Sequence, residues 1–383
     1  MAEAGKAPNP NPRGEDRYLG GALDGTTGVH PDARRGRGAV TNGAGRYESQ
    51  GRVALDDGWD NLDEPAPPLR THVMRDATRS IIARNTSPDI SFDRSINPYR
   101  GCEHGCIYCF ARPTHAYLGM SPGLDFESKI FAKPDAARLL EKELRAPRYE
   151  CKIMAMGTNT DPYQPVERTY AITRSILEVL ARFRHPVGIV TKSALITRDI
   201  DILAPMAEQS LAKAAVSVTT LDAHLARKME PRASTPGKRL DAIQKLSDAG
   251  IPAAVMFGPC IPGLNDHEME NILTAARDAG AVSAGYVMLR LPLEVKDLFQ
   301  EWLPAAVPER ASRVMSLVRG MRGGLDYDPK WGERMRGTGP IADALSDRFR
   351  LACKRLGLNS HRQPLDVTKF KPPPQAGDQM SLF

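Results

Sequence analysis

The chain has 383 residues, and six strand-like segments alternate along it with helix-like segments. This alternation constrains the fold more than any other feature, because strands joined by helices form a parallel sheet. The predicted strands are 90–96, 152–156, 187–190, 214–218, 252–257 and 284–289, and the predicted helices are 134–144, 169–183, 199–211, 236–249 and 266–279. Six such units in about 200 residues predict an α/β fold, with an open sheet or a partial barrel of six β/α units rather than a full eight-unit TIM barrel. In either case ligands are expected at the C-terminal ends of the strands.

The flanking segments differ from the barrel in composition and divide the chain into four predicted regions. Residues 1–70 contain twelve Gly and seven Pro and few large apolar residues, so we expect disorder there, apart from local contacts around Trp59 and Leu62. The barrel is predicted at 71–292. A helical extension follows at 293–370, and residues 371–383 read as a linker and terminal peptide. The helices of the extension are predicted at 294–303, 308–318 and 341–356.

Targeting signals and charge indicate where the protein is expected to be located and what its surface could bind. Residues 1–16 have no apolar core like that of a secretion signal, and no apolar stretch approaches the length of a membrane span, so we expect a cytoplasmic protein. Residues 310–371 hold fourteen Lys/Arg against six Asp/Glu. This basic extension is expected either to meet a phosphate backbone or to form a solvated helix surface.

Three of the six cysteines, Cys102, Cys106 and Cys109, fall within eight residues directly after the first predicted strand. Their spacing is C-x3-C-x2-C, and Gly101 and Gly105 let the loop turn tightly. Three soft ligands favour zinc or an iron–sulfur cluster. A structural zinc needs a fourth ligand, for which His104 and His115 are candidates. A four-iron cube held by three cysteines instead leaves one iron open for a substrate or cofactor.

The cysteine spacing, with Tyr108 just before the last cysteine, resembles the radical S-adenosylmethionine (SAM) superfamily. The segments 97–102, 157–167, 191–193 and 261–266 look like the branch related to spore photoproduct lyase. The resemblance implies a partial barrel that carries a [4Fe-4S] cluster and SAM. It also implies that an external donor of the flavodoxin or ferredoxin type supplies an electron, and that SAM is cleaved to methionine and a 5′-deoxyadenosyl radical, which abstracts a hydrogen atom.

The resemblance implies roles for further residues. Cys102, Cys106 and Cys109 would each bind one iron, and Tyr108 would lie near the adenine of SAM or simply pack beside the cluster. Other SAM contacts are expected at the ends of the second, third and fourth strands, namely Gly157, Thr158, Asn159, Lys192 and Ser217. Asp161 and Tyr163 lie in the polar segment 157–167, which we expect either to position substrate or to close the loop and cap the next helix.

One departure from the lyase pattern concerns its hydrogen donor, a cysteine near the end of the second strand. Here Cys151 lies at the start of that strand, which argues against lesion reversal by the route of that lyase. Cys260, just after the fifth strand, is a candidate hydrogen donor or else a buried packing residue. Cys353 lies on an amphipathic helix and is expected in the core.

The last five residues, Gln379–Phe383, resemble the peptide that docks on the bacterial DNA sliding clamp, with Leu382 and Phe383 as apolar anchors. The sequence therefore favours a radical SAM enzyme that acts on nucleic acid, in DNA repair or base modification. Two alternatives remain open at this point: a radical SAM enzyme with a protein or small-molecule substrate, and a non-enzymatic metal-binding protein associated with DNA.

Overall fold

The computed structural model describes residue 29 and residues 31–48, 68–361 and 364–374. The strands are β1 (His72–Arg75), β2 (Ile82–Arg84), β3 (Arg94–Ile96), β4 (Tyr99–Arg100), β5 (Lys129–Ala132), β6 (Met154–Met156), β7 (Val187–Thr191), β8 (Ala212–Ser217), β9 (Ala253–Cys260) and β10 (Ser283–Met288). The helices are α1 (Leu124–Ser128), α2 (Ala136–Leu144), α3 (Glu167–Tyr170), α4 (Ile172–Arg182), α5 (Ile200–Glu208), α6 (Ala223–Met229), α7 (Pro236–Asp248), α8 (Met269–Asp278), α9 (Glu294–Ala306), α10 (Pro308–Gly320) and α11 (Gly339–Leu356).

The main sheet has seven strands in the order β10-β9-β8-β7-β6-β3-β2. Six of them, β3 and β6 to β10, run parallel, and these are the six strands that the sequence predicts. The antiparallel edge strand β2 and a small sheet of β1, β5 and β4 were not expected from the sequence. The structure is therefore the predicted partial barrel with an added edge.

The two faces of the barrel strands carry different residues. Ile189, Val216 and Val255 lie on the face that packs against the helices, and all three are fully buried. The opposite face is less enclosed: Gly188 on β7 and Gly285 on β10 are half-buried there, beside the long side chains of Lys213 and Met256. The apolar face therefore forms the main core.

The helix predicted over 169–183 is two helices, α3 and α4, separated at Ala171, where φ is +50°. The cause is the buried Glu167 carboxylate, which accepts hydrogen bonds from the backbone N–H of Thr173 at 3.1 Å. The first N–H groups of a helix have no partner within it, so a carboxylate placed there fixes a new helix start.

Residues 31–48 differ from the expected disorder of the first 70 residues. Ala39 is fully buried, and the backbone N–H groups of Gly38 and Ala39 donate to the carboxylate of Glu127 at 2.8 and 2.9 Å. Arg37 donates to the carbonyl of Glu127 at 2.6 Å. Trp59 and Leu62 lie outside the described residues, so the expected contacts around them stay a prediction.

The helices after β10 cover two different parts of the barrel. Phe299 and Trp302 of α9 belong to the same apolar cluster as Ile107 and Tyr108 of the cysteine loop. Helix α11 lies on the outside, where Arg348 forms an ion pair with Glu270 of α8 at 2.7 Å. Within the part of the chain that the structure describes, no helix combines the length and apolarity needed to cross a membrane.

Candidate active site

The three clustered cysteines lie in the loop that follows β3 and β4, at the C-terminal ends of the parallel strands. Cys102 and Cys106 are buried, and Cys109 is partly buried. Gly101 and Gly105 both have positive φ, at +77° and +66°, which confirms that the loop depends on glycine at these two positions. A Cβ on Gly105 would also lie 2.7 Å from Oε2 of Glu127, so the loop fits closely against its surroundings.

Burial raises the pKa of all three thiols. The pKa of Cys102 is raised further by Asp161 and by the other two cysteines, and that of Cys106 by Glu230. The charge of Lys192 has the opposite effect and lowers the pKa of Cys106 and Cys109. Three thiolates brought together in a buried loop need a strongly positive group to compensate them, which is the role of iron in a cluster.

Neither histidine that the sequence offered as a fourth metal ligand joins the cysteines. His104 Nδ1 lies 3.4 Å from a carboxylate oxygen of Asp161, and His115 Nε2 is 2.9 Å from the carbonyl of Lys129. Among the described residues no three His, Cys, Asp or Glu side chains are arranged to hold a single metal ion. The placement of the two histidines leaves a structural zinc without the fourth ligand that the sequence offered. A cluster in which each of the three cysteines binds a different iron needs no such ligand.

Asp161 is a buried anchor between the cysteine loop and β7. Its carboxylate accepts hydrogen bonds from Thr191 Oγ1 at 2.6 Å, from the backbone N–H of Lys192 at 2.7 Å and from that of Tyr163 at 2.9 Å. Burial alone would raise its pKa, but His104 and these donors outweigh burial and lower the pKa to about 2. Asp161 therefore lies in the predicted region, where it positions Lys192 and the loop.

Tyr163 does not reach the mouth of the barrel. It is fully buried, its ring lies 5.9 Å from the guanidinium of Arg198, and burial followed by the charge of Asp199 raises its pKa well above the usual range. A phenol enclosed by protein on all sides cannot touch a substrate that enters from solvent. This placement argues against the catalytic role expected for Tyr163 and favours the alternative of loop closure.

The sequence did not single out Gln164, which holds the backbone on both sides of Cys102. Its Oε1 accepts from the N–H of Glu103 at 2.9 Å, and its Nε2 donates to the carbonyl of Gly101 at 3.2 Å. Gln164 is fully buried. The polar composition of the segment 157–167 is visible in the sequence. Glu103, whose N–H binds Gln164, lies more than 60 residues away, so the local pattern could not identify this contact.

Tyr108 is fixed by a second buried group that the sequence reasoning missed. Its hydroxyl donates to Glu230, which also accepts from Thr219 Oγ1 at 2.7 Å and pairs with Arg239. Arg239 in turn donates to the carbonyl of Ser217 at 3.0 Å. The hydroxyl of Tyr108 is thereby held inward, and the ring remains beside the cysteines with Lys192 Nζ 5.8 Å from its centroid.

The residues expected to contact SAM lie at the C-terminal ends of neighbouring strands, as predicted. Gly157 follows β6 with φ of +87°, and a Cβ there would overlap the carbonyl of Val190. The N–H of Asn159 donates to Asn97 Oδ1 at 3.0 Å, which fixes the turn that also contains Thr158. Lys192 follows β7, and Ser217 ends β8 as a buried residue. These positions surround the same end of the barrel as the cysteine loop.

The remaining cysteines lie in three different places, and of these Cys260 ends β9 at the same end of the barrel as the cysteine loop. Cys151 precedes β6 at the opposite end of the barrel, as expected, and burial raises its pKa to about 11. Cys260 is fully buried, and burial together with Asp266 raises its pKa. The Cys260 side chain belongs to the main apolar core and not to the cluster that contains Cys106 and Tyr108. The structure therefore favours packing over hydrogen donation for Cys260, and Cys353 is buried on α11 as predicted.

The basic extension is divided between two places. Lys354 and Arg355 lie exposed on α11, which packs against α8 on the outside of the barrel. Arg334 instead lies at the barrel mouth, in a segment whose Met335 carbonyl accepts from the N–H of Met288 at the end of β10. Only part of the basic stretch thus borders the mouth. The terminal peptide Gln379–Phe383 lies outside the described residues.

The fold and this site define a class of protein: an enzyme built on a partial (β/α)6 barrel, with a loop of three cysteines at the C-terminal ends of its strands. A family model described as the radical SAM superfamily matches residues 96–276. An uncharacterised protein of Mycobacterium bovis is 39% identical over 232 residues, which are 60% of this chain and 68% of that protein. An uncharacterised protein of Methanocaldococcus jannaschii is 29% identical over 174 residues, or 45% and 62% of the two chains.

Among solved structures, a spore photoproduct lyase in complex with a dinucleoside spore photoproduct has a TM-score of 0.53 and 15% identity, covering 75% of this chain and 80% of its own. At that identity the likeness concerns the fold. The chain belongs to the radical SAM superfamily. Membership implies a [4Fe-4S] cluster and SAM, and it excludes the alternative of a non-enzymatic adaptor.

Proposed function

We propose that this enzyme uses SAM at a [4Fe-4S] cluster on Cys102, Cys106 and Cys109 to act on a nucleic acid base, in DNA repair or base modification. A cluster with bound SAM supplies reductive cleavage of the sulfonium to a 5′-deoxyadenosyl radical. The observation that carries the proposal is the enclosed loop of three cysteines, in which His104 faces Asp161 and His115 faces the Lys129 carbonyl, so that neither histidine lies with the cysteines as a fourth ligand.

The protein's own residues would bind and orient SAM. The Lys192 ammonium group lies beside the cysteine loop, 5.8 Å from the ring centroid of Tyr108, and would pair with the methionyl carboxylate. The polar turn of Gly157, Thr158 and Asn159 would take the amino group. The ring of Tyr108 would lie beside the adenine, and Ser217 would add a contact from the end of β8.

Two observations support a nucleic acid substrate. The similar solved structure of spore photoproduct lyase holds a dinucleoside photoproduct, which is a piece of damaged DNA. Arg290 and Arg334 lie at the same mouth as the cysteine loop. Cys151 lies at the far end of the barrel, and Cys260, although it ends β9 near the mouth, is fully buried in the core. Both placements argue against lesion reversal that uses a protein cysteine as hydrogen donor, so we favour base modification or a repair route with another donor.

The test is anaerobic reconstitution with iron and sulfide, followed by reduction in the presence of SAM. We expect release of 5′-deoxyadenosine, faster with DNA than without it or with peptide. The variant Cys106→Ala should lose iron and activity, whereas the matched variant Cys151→Ala, outside the loop, should keep both. A protein that binds only zinc, or that releases no 5′-deoxyadenosine, would contradict the proposal, and stimulation by peptide alone would favour the protein substrate.

A second variant separates SAM binding from cluster binding. Lys192→Ala should retain the iron content of the parent and weaken SAM binding by about tenfold, since it removes one charge-assisted contact. Lys192→Arg should restore part of the affinity. Loss of iron in Lys192→Ala, with unchanged SAM affinity per cluster, would contradict the role given to Lys192.

A further inference from the structure

Two exposed aromatic rings at the mouth of the barrel each carry an arginine on one face. Phe110 is 43% exposed, and the guanidinium of Arg290 lies 5.0 Å from its ring centroid. Trp331 is 51% exposed, and the guanidinium of Arg334 lies 4.1 Å from its ring centroid. Since the arginine covers one face only, the other face of each ring is open to solvent. None of these four residues has a role in the barrel core.

The chain places both pairs on one rim. Phe110 directly follows Cys109, and Arg290 follows the end of β10 by two residues. Arg290 also connects the pairs, because its Nη1 is 3.6 Å from the sulfur of Met335, four residues after Trp331. The two open ring faces therefore border the entrance to the cysteine loop.

The segment 330–337, here called the mouth ledge, is held firmly on both sides. On one side the buried Arg322 donates to the carbonyl of Leu289 at 3.0 Å and to the ledge carbonyls of Glu333 and Arg334 at 2.9 and 3.0 Å. On the other side Asp89 accepts from Gly332 N–H at 2.7 Å and from Arg334 Nε at 2.5 Å. The backbone that carries Trp331 is therefore fixed from both sides.

Arg290 is a cation of this rim whose guanidinium is not fully satisfied by the described residues. The nearby Asp89 interacts with it only through its charge, while the ion pair of Asp89 is with Arg334. The Nε of Arg290 is buried without a hydrogen-bond partner among the described residues. A buried, unpaired guanidinium N–H costs free energy unless a ligand satisfies it, and a planar guanidinium suits the oxygens of a phosphate.

We propose that Phe110, Trp331 and Arg290 form a docking surface for an unpaired stretch of DNA, with bases stacked on the two rings and a backbone phosphate on Arg290. The choice of DNA rests on the proposed function. Every base has a flat face that can stack on an aromatic ring, and an adjacent cation follows the backbone, so this combination is typical of surfaces that bind single strands. The target base would then extend from the rim toward the cysteine loop.

Trp331 itself provides the first readout. The chain has three tryptophans: Trp302 is 3% exposed, and Trp59 lies outside the described residues. Adding a short single-stranded oligonucleotide to the reconstituted enzyme should quench the tryptophan fluorescence, and Trp331→Phe should lose that quenching while keeping its affinity for the strand. Duplex DNA of the same sequence should quench less, because its bases are already stacked and paired.

Affinity measured by fluorescence polarisation of a labelled strand provides the second readout. Trp331→Ala and Arg290→Ala should each weaken binding by about fivefold or more, and Arg290→Ala should also reduce the salt dependence of binding. The matched control is Lys354→Ala/Arg355→Ala, which removes two exposed cations from α11, outside the barrel, and should leave affinity at low salt within about twofold. Thermal unfolding checks that each variant is folded.

The outcomes separate this proposal from the proposed function. Unchanged affinity and quenching in folded Trp331→Ala and Arg290→Ala would overturn the docking surface, even if 5′-deoxyadenosine is released with DNA. Quenching by an acidic peptide but not by the oligonucleotide would overturn it as well. Loss of strand binding in both variants, with the α11 control intact, would support it even in a preparation that does not turn over SAM.

Discussion

At the scale of single residues, the cysteine loop is surrounded by buried charges that occur in pairs. Glu230 and Arg239 form one ion pair, and Glu127 and Arg112 form another, with each side chain at most 2% exposed. A buried ion pair adds little net stability compared with apolar packing, but removal of one partner leaves an uncompensated charge. These pairs therefore make the local structure intolerant of single substitutions.

The variant Glu230→Gln tests this intolerance. It keeps the shape and one acceptor for the Tyr108 hydroxyl but removes the charge opposite Arg239, so we expect the free energy of unfolding to fall by about 3 kcal/mol. Tyr108→Phe removes only one hydrogen bond from the same group and should cost about 1 kcal/mol. Urea denaturation of the metal-free protein measures both. Equal losses in the two variants would contradict the dominance of the charge pair.

At the scale of elements, the segment 31–48 acts as a cover on the outside of the cysteine loop. Gly38 lies so close to Gly105 that a Cβ on Gly38 would be 1.9 Å from the Gly105 carbonyl oxygen. Further along the segment, Thr41 Oγ1 donates to Glu301 of α9 at 2.7 Å. The segment thus connects the loop to the C-terminal helices, and the close backbone contact adds to its hydrogen bonds with Glu127 and Glu301.

Two glycine substitutions five residues apart test that contact. Gly38→Ala should displace the segment from the loop, expose Arg34 and Arg37 to trypsin, and speed the loss of iron to a chelator. Gly43→Ala has no atom within 4 Å of the new Cβ and should behave like the parent. If the two variants show the same tryptic pattern and the same iron loss, the close contact does not hold the segment in place.

At the scale of the whole molecule, the barrel could be predicted because strand and helix patterns are local. Each of the six parallel strands has its own apolar run and a neighbouring helix with apolar residues at helical spacing. The three residues of β2 and the two of β4 are too short to produce such a pattern, and they form only because β3 and β5 lie beside them. The break between α3 and α4 likewise depends on Glu167 being buried.

The candidate site likewise contains some residues that the sequence could identify and others that it could not. Spacing identifies the three cysteines, since their chemistry requires them close together in sequence. Gln164, Glu230 and Arg322 act on backbone or side chains between 9 and 122 residues away, so their roles become visible only in three dimensions. The order of residues 31–48 also comes from a distant partner, Glu127, whereas their composition alone indicates disorder.

Stability of the whole molecule should depend on pH through the buried His185 below β7. Tyr149 Oη lies 2.7 Å from its Nε2, and its Nδ1 is 3.1 Å from the Pro186 carbonyl, an arrangement that suits the neutral ring. Burial lowers its pKa from 6.5 to about 4, against the opposing effect of that carbonyl. Between these values the unfolded chain binds a proton that the folded chain does not, so stability is full above pH 6.5 and falls as the pH approaches 4.

Denaturation at pH 7 and at pH 4.5 should show the parent losing about 2–3 kcal/mol more than His185→Asn, which cannot titrate. Equal losses in the two proteins would mean that His185 is already charged in the folded state.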